Sequence, residues 1–234
     1  MPETEIDRIY RPQRVNPETH RGGCAANCGY MALRILGAPV ESFEDYIQKI
    51  KEVGGSVVDE TAETLTFGSI ATLATNLGFS TKLILGGSSE YYEDRLARDD
   101  INNMERTYIN EVKNYAQNYP TNVVYEKRLN SVDVEEALRQ KDAILIMGLS
   151  WPGLYGQFID DEKGNKFFND HAVIIDEVEI SNGDRKVHII DPYVGDVHAK
   201  RENPIGEKEY WLTEEQFRNA ELEPGGAIII RKVS

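Results

Sequence analysis

Apolar residues recur along this chain first at helical and later at strand spacing. The run from Cys24 to Leu36 predicts a helix that Gly37 stops. Ser42 then caps a second helix, Phe43 to about Val53, with Glu44 and Asp45 in its first turn and Gly54-Gly55 at its end. Thr66 to Leu77 places Phe67, Ile70, Leu73, Ala74 and Leu77 on one helical face, and Gly78 closes it. Ser80 to Leu85 reads as a strand. Residues 88–119 are charged and dotted with tyrosine, which predicts one or two exposed helices interrupted near Asp99-Asp100. Thr121 to Glu126 is a short β-branched strand, Ser131 caps a helix through Arg139, and Ala143 to Leu149 is a buried strand. Trp151 to Lys166 reads as a loop. His171 to Ile180 and Lys186 to Ile190 form a hairpin around Ser181-Asn182-Gly183-Asp184. Thr213-Glu214-Glu215-Gln216 is a capping box, and Ala227 to Arg231 is a last strand. Residues 1–20 are polar, contain Pro12 and Pro17, and read as an extended lead-in.

Helices early and strands later give an α+β class with a mainly antiparallel sheet. No repeat, low-complexity tract or long linker divides the 234 residues, so one domain is expected over 1–234. The 40% hydrophobic content supports a core without staples. The formal net charge of −14 argues against nucleic acid and anionic membrane surfaces as partners. No run reaches transmembrane length, and the start lacks a basic region followed by an apolar one. A cytoplasmic location is expected, or export without a recognisable signal peptide. The only cysteines, Cys24 and Cys28, lie four apart on one helical face. That spacing disfavours a structural disulfide and makes a poor zinc site. No metal or organic cofactor is expected.

Cys24 is the first candidate for chemistry. A thiol at a helix start has its thiolate favoured by the helix dipole and by unpaired backbone N–H groups, and Gly22-Gly23 leave room for a substrate backbone. Cys28, a turn later beside Met31, Ala32 and Ile35, is read as a packing residue. His171 opens the apolar strand Ala172-Val173-Ile174-Ile175 and can face a cleft. His20 and His198 lie in polar stretches, and His188 sits inside a strand. Asp191 ends the partner strand, ahead of Pro192. In an antiparallel pair, the start of one strand and the end of the next share one end of the ladder, so Asp191 can hold the His171 tautomer.

With these residues in place, the chain resembles the papain-like cysteine peptidase superfamily, in its bacterial C39-like branch. The resemblance rests on Cys24, Cys28 and Gly37, on the stretch from Gly68-Ser69-Ile70-Ala71 to Leu77-Gly78-Phe79, and on Val132 to Arg139 before Ala143 to Met147. It continues through His171-Ala172-Val173-Ile174, Ile189-Ile190-Asp191-Pro192, Trp211, Phe217 and Ala227 to Ile230, and spans about residues 20–232, which makes a helical insertion of about 88–120. It implies N-terminal helices packed on the sheet and a Cys24–His171–Asp191 triad that cleaves an amide bond of a peptide or protein substrate. C39 peptidases usually read Asp-Cys-Gly-Pro-Ala-Cys, whereas Ala25-Ala26-Asn27 follows Cys24 here. The family's oxyanion glutamine, six residues before the cysteine, falls on Glu18, which accepts only when ionised. Gln13 or Asn16 is then the candidate oxyanion donor, beside the Cys24 backbone N–H.

A second resemblance, to papain-fold toxin and effector deamidases, rests on Val15-Asn16-Pro17 and Leu36-Gly37-Ala38-Pro39. It implies the same thiolate chemistry on a glutamine side chain. A non-catalytic member that binds peptide in the same cleft, and a transferase in which an amine resolves the thioester, are the remaining expectations. Trp151 and Tyr155 are expected to border the cleft or to pack within their loop.

Overall fold

The computed structural model describes residues 9–12, 23–56, 66–139, 142–155, 159–160, 166–167, 170–193, 207–221 and 226–233. Helices α1 (Cys24–Ile35), α2 (Phe43–Glu52) and α3 (Phe67–Asn76) come first. Gly37, at φ +76°, ends the α1 segment, and the Ser42 hydroxyl accepts from the Asp45 N–H at 3.1 Å to cap α2. Strand β1 (Ser80–Leu85) leads to α4 (Ser89–Leu96), α5 (Asn103–Asn118) and β2 (Val123–Val124). Then come α6 (Ser131–Leu138), β3 (Ala143–Ser150), α7 (Trp151–Tyr155), β4 (Ile159–Asp160), β5 (Lys166–Phe167), β6 (Asp170–Ser181), β7 (Asp184–Ile190), β8 (Glu209–Thr213), α8 (Glu214–Asn219) and β9 (Gly226–Arg231).

The chain is α+β. Seven strands form one sheet in the order β2-β1-β9-β3-β6-β7-β8, and β4 pairs with β5 apart from it. Every neighbour in the large sheet is antiparallel except β1 and β2. Strand side chains alternate between faces, which divides the core in two. Ile146, Ala172, Ile174, Ile190 and Ile228 point to the side covered by α1, α2, α3 and α5. Leu145, Met147, Val173, Ile175 and Ile189 point to the side of α6, α7 and α8. The β6–β7 hairpin turns through Asn182 (φ 55°) and Gly183 (φ 90°), a two-residue turn whose left-handed backbone matches strand twist.

Four local expectations are corrected. The two helices expected within 88–119 are present but not exposed all round: Tyr92, Ile109, Val112 and Tyr115 are buried in the α1–α3 core. The apolar residues at 109, 112 and 115 make a helical stripe, which the surrounding charge masks in the sequence. The strand at 121–126 shrinks to Val123–Val124, preceded by a 3₁₀ turn over Pro120–Asn122. Asn130, not Ser131, caps α6, in a reciprocal box with Asp133, while the Ser131 hydroxyl donates to Glu214 Oε1 at 2.6 Å. The loop after β3 opens with helix α7. Among the described residues no helix is long and apolar enough to cross a membrane.

Candidate active site

Cys24 is the first residue of α1. Its N-cap, Gly23, supplies no side chain, and the first turn carries no acidic residue. The positive end of the helix dipole therefore acts on the thiol undiminished. The Gly23 carbonyl accepts from both the Asn27 backbone N–H at 2.9 Å and the Asn27 Nδ2 at 2.7 Å, which fixes the peptide that enters the helix. Cys24 is half-buried and Cys28 is buried, both as free thiols.

The sheet brings the histidine to this helix start. Helix α1 packs on β6, whose second residue is His171. Leu149 of β3 pairs with His171, and Ile174 pairs with Ile190, so Asp191 leaves β7 at the end where β6 begins. His171 Nε2 lies 2.8 Å from Asp191 Oδ1. The Cys24 thiol and the His171 imidazole are coupled, each drawing the other toward its charged form. With Nε2 given to Asp191, Nδ1 is the nitrogen left for sulfur. The fold thus brings Cys24, at the start of a helix packed on β6, His171 and Asp191 to one end of the sheet.

The relay is charged. Burial alone would push the Cys24 thiol up, but its hydrogen bond to His171, the His171 charge and the Ala172 and Ala25 N–H groups outweigh it and hold the thiol below the usual cysteine range. Burial would likewise push His171 down. The Asp191 carboxylate and Cys24 prevail and raise its pKa to about 10. Asp191 is fully buried, yet it stays below the usual carboxylate range because His171, Tyr155 and the Tyr193 N–H stabilise its ion. Both shifts run in the direction of a thiolate–imidazolium pair. Cys28 behaves oppositely: burial, Cys24 and Asp191 push its thiol well up. It remains protonated and donates to the Ala172 carbonyl at 3.2 Å, as its reading as a packing residue requires.

Residues that sequence reasoning did not assign complete the site. The Tyr155 and Tyr210 hydroxyls both donate to Asp191 Oδ2, the latter at 2.7 Å. The Tyr193 N–H donates to Oδ1 at 2.8 Å, and the Tyr10 hydroxyl donates to the Asp191 carbonyl at 2.7 Å. Tyr155 is therefore a buried support of the aspartate rather than a border of the cleft. Its ring and that of Tyr193 stand 6.1 and 6.3 Å from the imidazole and wall it off from water. Twelve tyrosines in the sequence give no sign of which three would meet one carboxylate.

The other expected residues divide. His188 pairs with Asp176 at 2.7 Å and stacks on Trp211, outside the relay. Gln13, Asn16, Glu18, His20 and His198 lie outside the described residues. Among the described residues, no three of His, Cys, Asp and Glu are grouped to hold a metal ion. No protein-family model matches this chain, and no curated protein matches it.

Proposed function

We propose that this protein is a cysteine hydrolase that cleaves amide bonds, as a C39-like peptidase of the papain-like superfamily would. The observation that carries this reading is the Cys24–His171–Asp191 relay at an uncapped helix start. The Cys24 thiolate attacks the carbonyl carbon of an amide, and a C–S bond forms as the carbonyl π bond becomes an oxyanion. The Cys24 backbone N–H, at the open end of α1, supports the oxyanion. As the tetrahedral adduct collapses, the C–N bond breaks and imidazolium His171 gives its proton to the departing nitrogen. Neutral His171 then takes a proton from water, whose oxygen attacks the thioester. The acid leaves, Cys24 is again a thiolate and His171 again an imidazolium. Asp191 keeps the ring oriented through both half-reactions and keeps its own charge.

The test is incubation of the purified chain with a mixed peptide library, followed by mass spectrometry. Cleaved peptides that gain one water, and that disappear with Cys24→Ala or His171→Ala, support the reading. Intact peptides whose glutamines are converted to glutamate would redirect it to a deamidase. Peptide that is bound but chemically unchanged, by wild type as by Cys24→Ala, would overturn it.

A further inference from the structure

We infer that Tyr155 and Tyr210 are positioning residues of the triad: their hydroxyls hold Asp191 as an ion with Oδ1 turned to His171, and through His171 they keep Cys24 a thiolate. The inference rests on the cysteine-hydrolase reading and deepens it.

A carboxylate has two oxygens, and the site uses them differently. Oδ1 receives His171 Nε2 and the Tyr193 N–H, both at 2.8 Å. Among the described residues, Oδ2 receives two phenols, Tyr155 from α7 and Tyr210 from β8. The two come from opposite sides in the chain, one following β3 and the other in the edge strand β8. Together they fix the rotation of the carboxylate about its Cβ–Cγ bond, and only one orientation serves all four donors.

The charges explain why two neutral donors are needed. A thiolate, an imidazolium and a carboxylate sum to one net negative charge, buried at the sheet end. Asp191 is 0% exposed and His171 2% exposed, so water does little to stabilise that excess. Among the described residues, His171 is the cationic group hydrogen-bonded to the Asp191 carboxylate. Cys28 carries a buried thiol on α1, and Tyr10 from the lead-in spends its hydroxyl on the Asp191 carbonyl. Glu209 of β8 is acidic, and the Lys208 ammonium stands 5.4 Å from the Tyr10 ring centre, over its face. The phenols of Tyr155 and Tyr210 are what remains, and hydrogen bonds to a buried ion are the strong kind. Both hydroxyls are pushed far above the ordinary tyrosine range by burial and then by Asp191, so they stay protonated donors wherever the triad works.

The experiment is the pH profile of iodoacetamide alkylation at Cys24, read by mass spectrometry, for wild type, Tyr155→Phe, Tyr210→Phe and the double variant. Circular dichroism checks each fold. Each single substitution removes one hydrogen bond to an ion, and the acid arm of the profile is expected to move up by about half to one pH unit. The double variant moves further. An arm that stays at the wild-type position in folded variants overturns the inference and leaves the triad standing. A wild-type arm at the free-cysteine position sinks the triad itself, which separates the two failures. Should both variants unfold, wild-type proton NMR decides. Two slowly exchanging phenolic protons that vanish in Asp191→Asn support the inference, and their absence from the wild-type spectrum overturns it.

Discussion

Gly68→Ala tests how the helices that carry the site are locked together. Gly68 lies in α3, where alanine is ordinarily the better residue by about 1 kcal/mol. Here α5 crosses so closely that a Cβ on Gly68 would stand 2.7 Å from the Glu111 carbonyl carbon, 2.8 Å from its oxygen and 2.9 Å from the Val112 nitrogen. These are backbone atoms of a helix, which no rotamer change moves aside. The added methyl must push α5 off α3, and overpacking of this kind costs about 1–3 kcal/mol. The rigid neighbour places the cost at the upper end. After the helix-propensity gain, a net loss of about 1–2 kcal/mol is expected, or about 2–8 °C in Tm for a chain of this size. Urea and thermal unfolding followed by circular dichroism measure it. The sign decides the matter: a protein stabilised by about 1 kcal/mol would mean that α3 and α5 do not touch as described.

Other outcomes follow from the same structure. Glu111→Gln is expected to cost about 1–3 kcal/mol, because Glu111 accepts from the Ser56 N–H and from the Thr66 and Ser69 hydroxyls, and an amide turns one acceptor into a donor; unchanged urea unfolding would refute that clamp. Tyr46→Phe removes a buried hydroxyl that has no partner among the described residues, so stability should hold or rise by up to about 1 kcal/mol; a clear loss would mean the hydroxyl is bonded. Asp191 has a folded pKa below its unfolded one, so its stabilisation is present above the ordinary carboxylate range and is lost as pH falls through the folded value. Asp191→Asn should therefore be less stable at neutral pH but lose less of what remains on acidification. Parallel acid-unfolding curves for the two proteins would contradict this.

The sequence made the helix start legible because its signals are local: a glycine pair, a cysteine, an apolar run and a glycine stop all lie within residues 22–37. It made the His171–Asp191 pairing legible because a hairpin turn sets the register of both strands, even though a bulge near Asp176 shifts that register by one residue. Tyr155 and Tyr210 were not legible. They lie 36 and 19 residues from Asp191, Tyr155 on the short helix after β3 and Tyr210 on β8, whose pairing with β7 no local sequence signal announces. The burial of α5 was hidden for a different reason. Its apolar stripe shares the helix with charged residues, and Glu111, a buried acid in the middle of that helix, reads as surface until its three donors are seen. The α6 cap slipped by one residue because Asn130 and Ser131 are both good caps, and only the reciprocal bond to Asp133 selects the first.

The central claim is that His171 stands charged beside Cys24 and favours its thiolate. The direct measurement is the rate of Cys24 alkylation by iodoacetamide between pH 4 and 10, in wild type and in His171→Ala. In the wild type the rate should already be on its plateau near neutral pH. In His171→Ala the rise should move toward the free-cysteine value of about 8.5. Coincident profiles for the two proteins, both rising where free cysteine does, would contradict the relay.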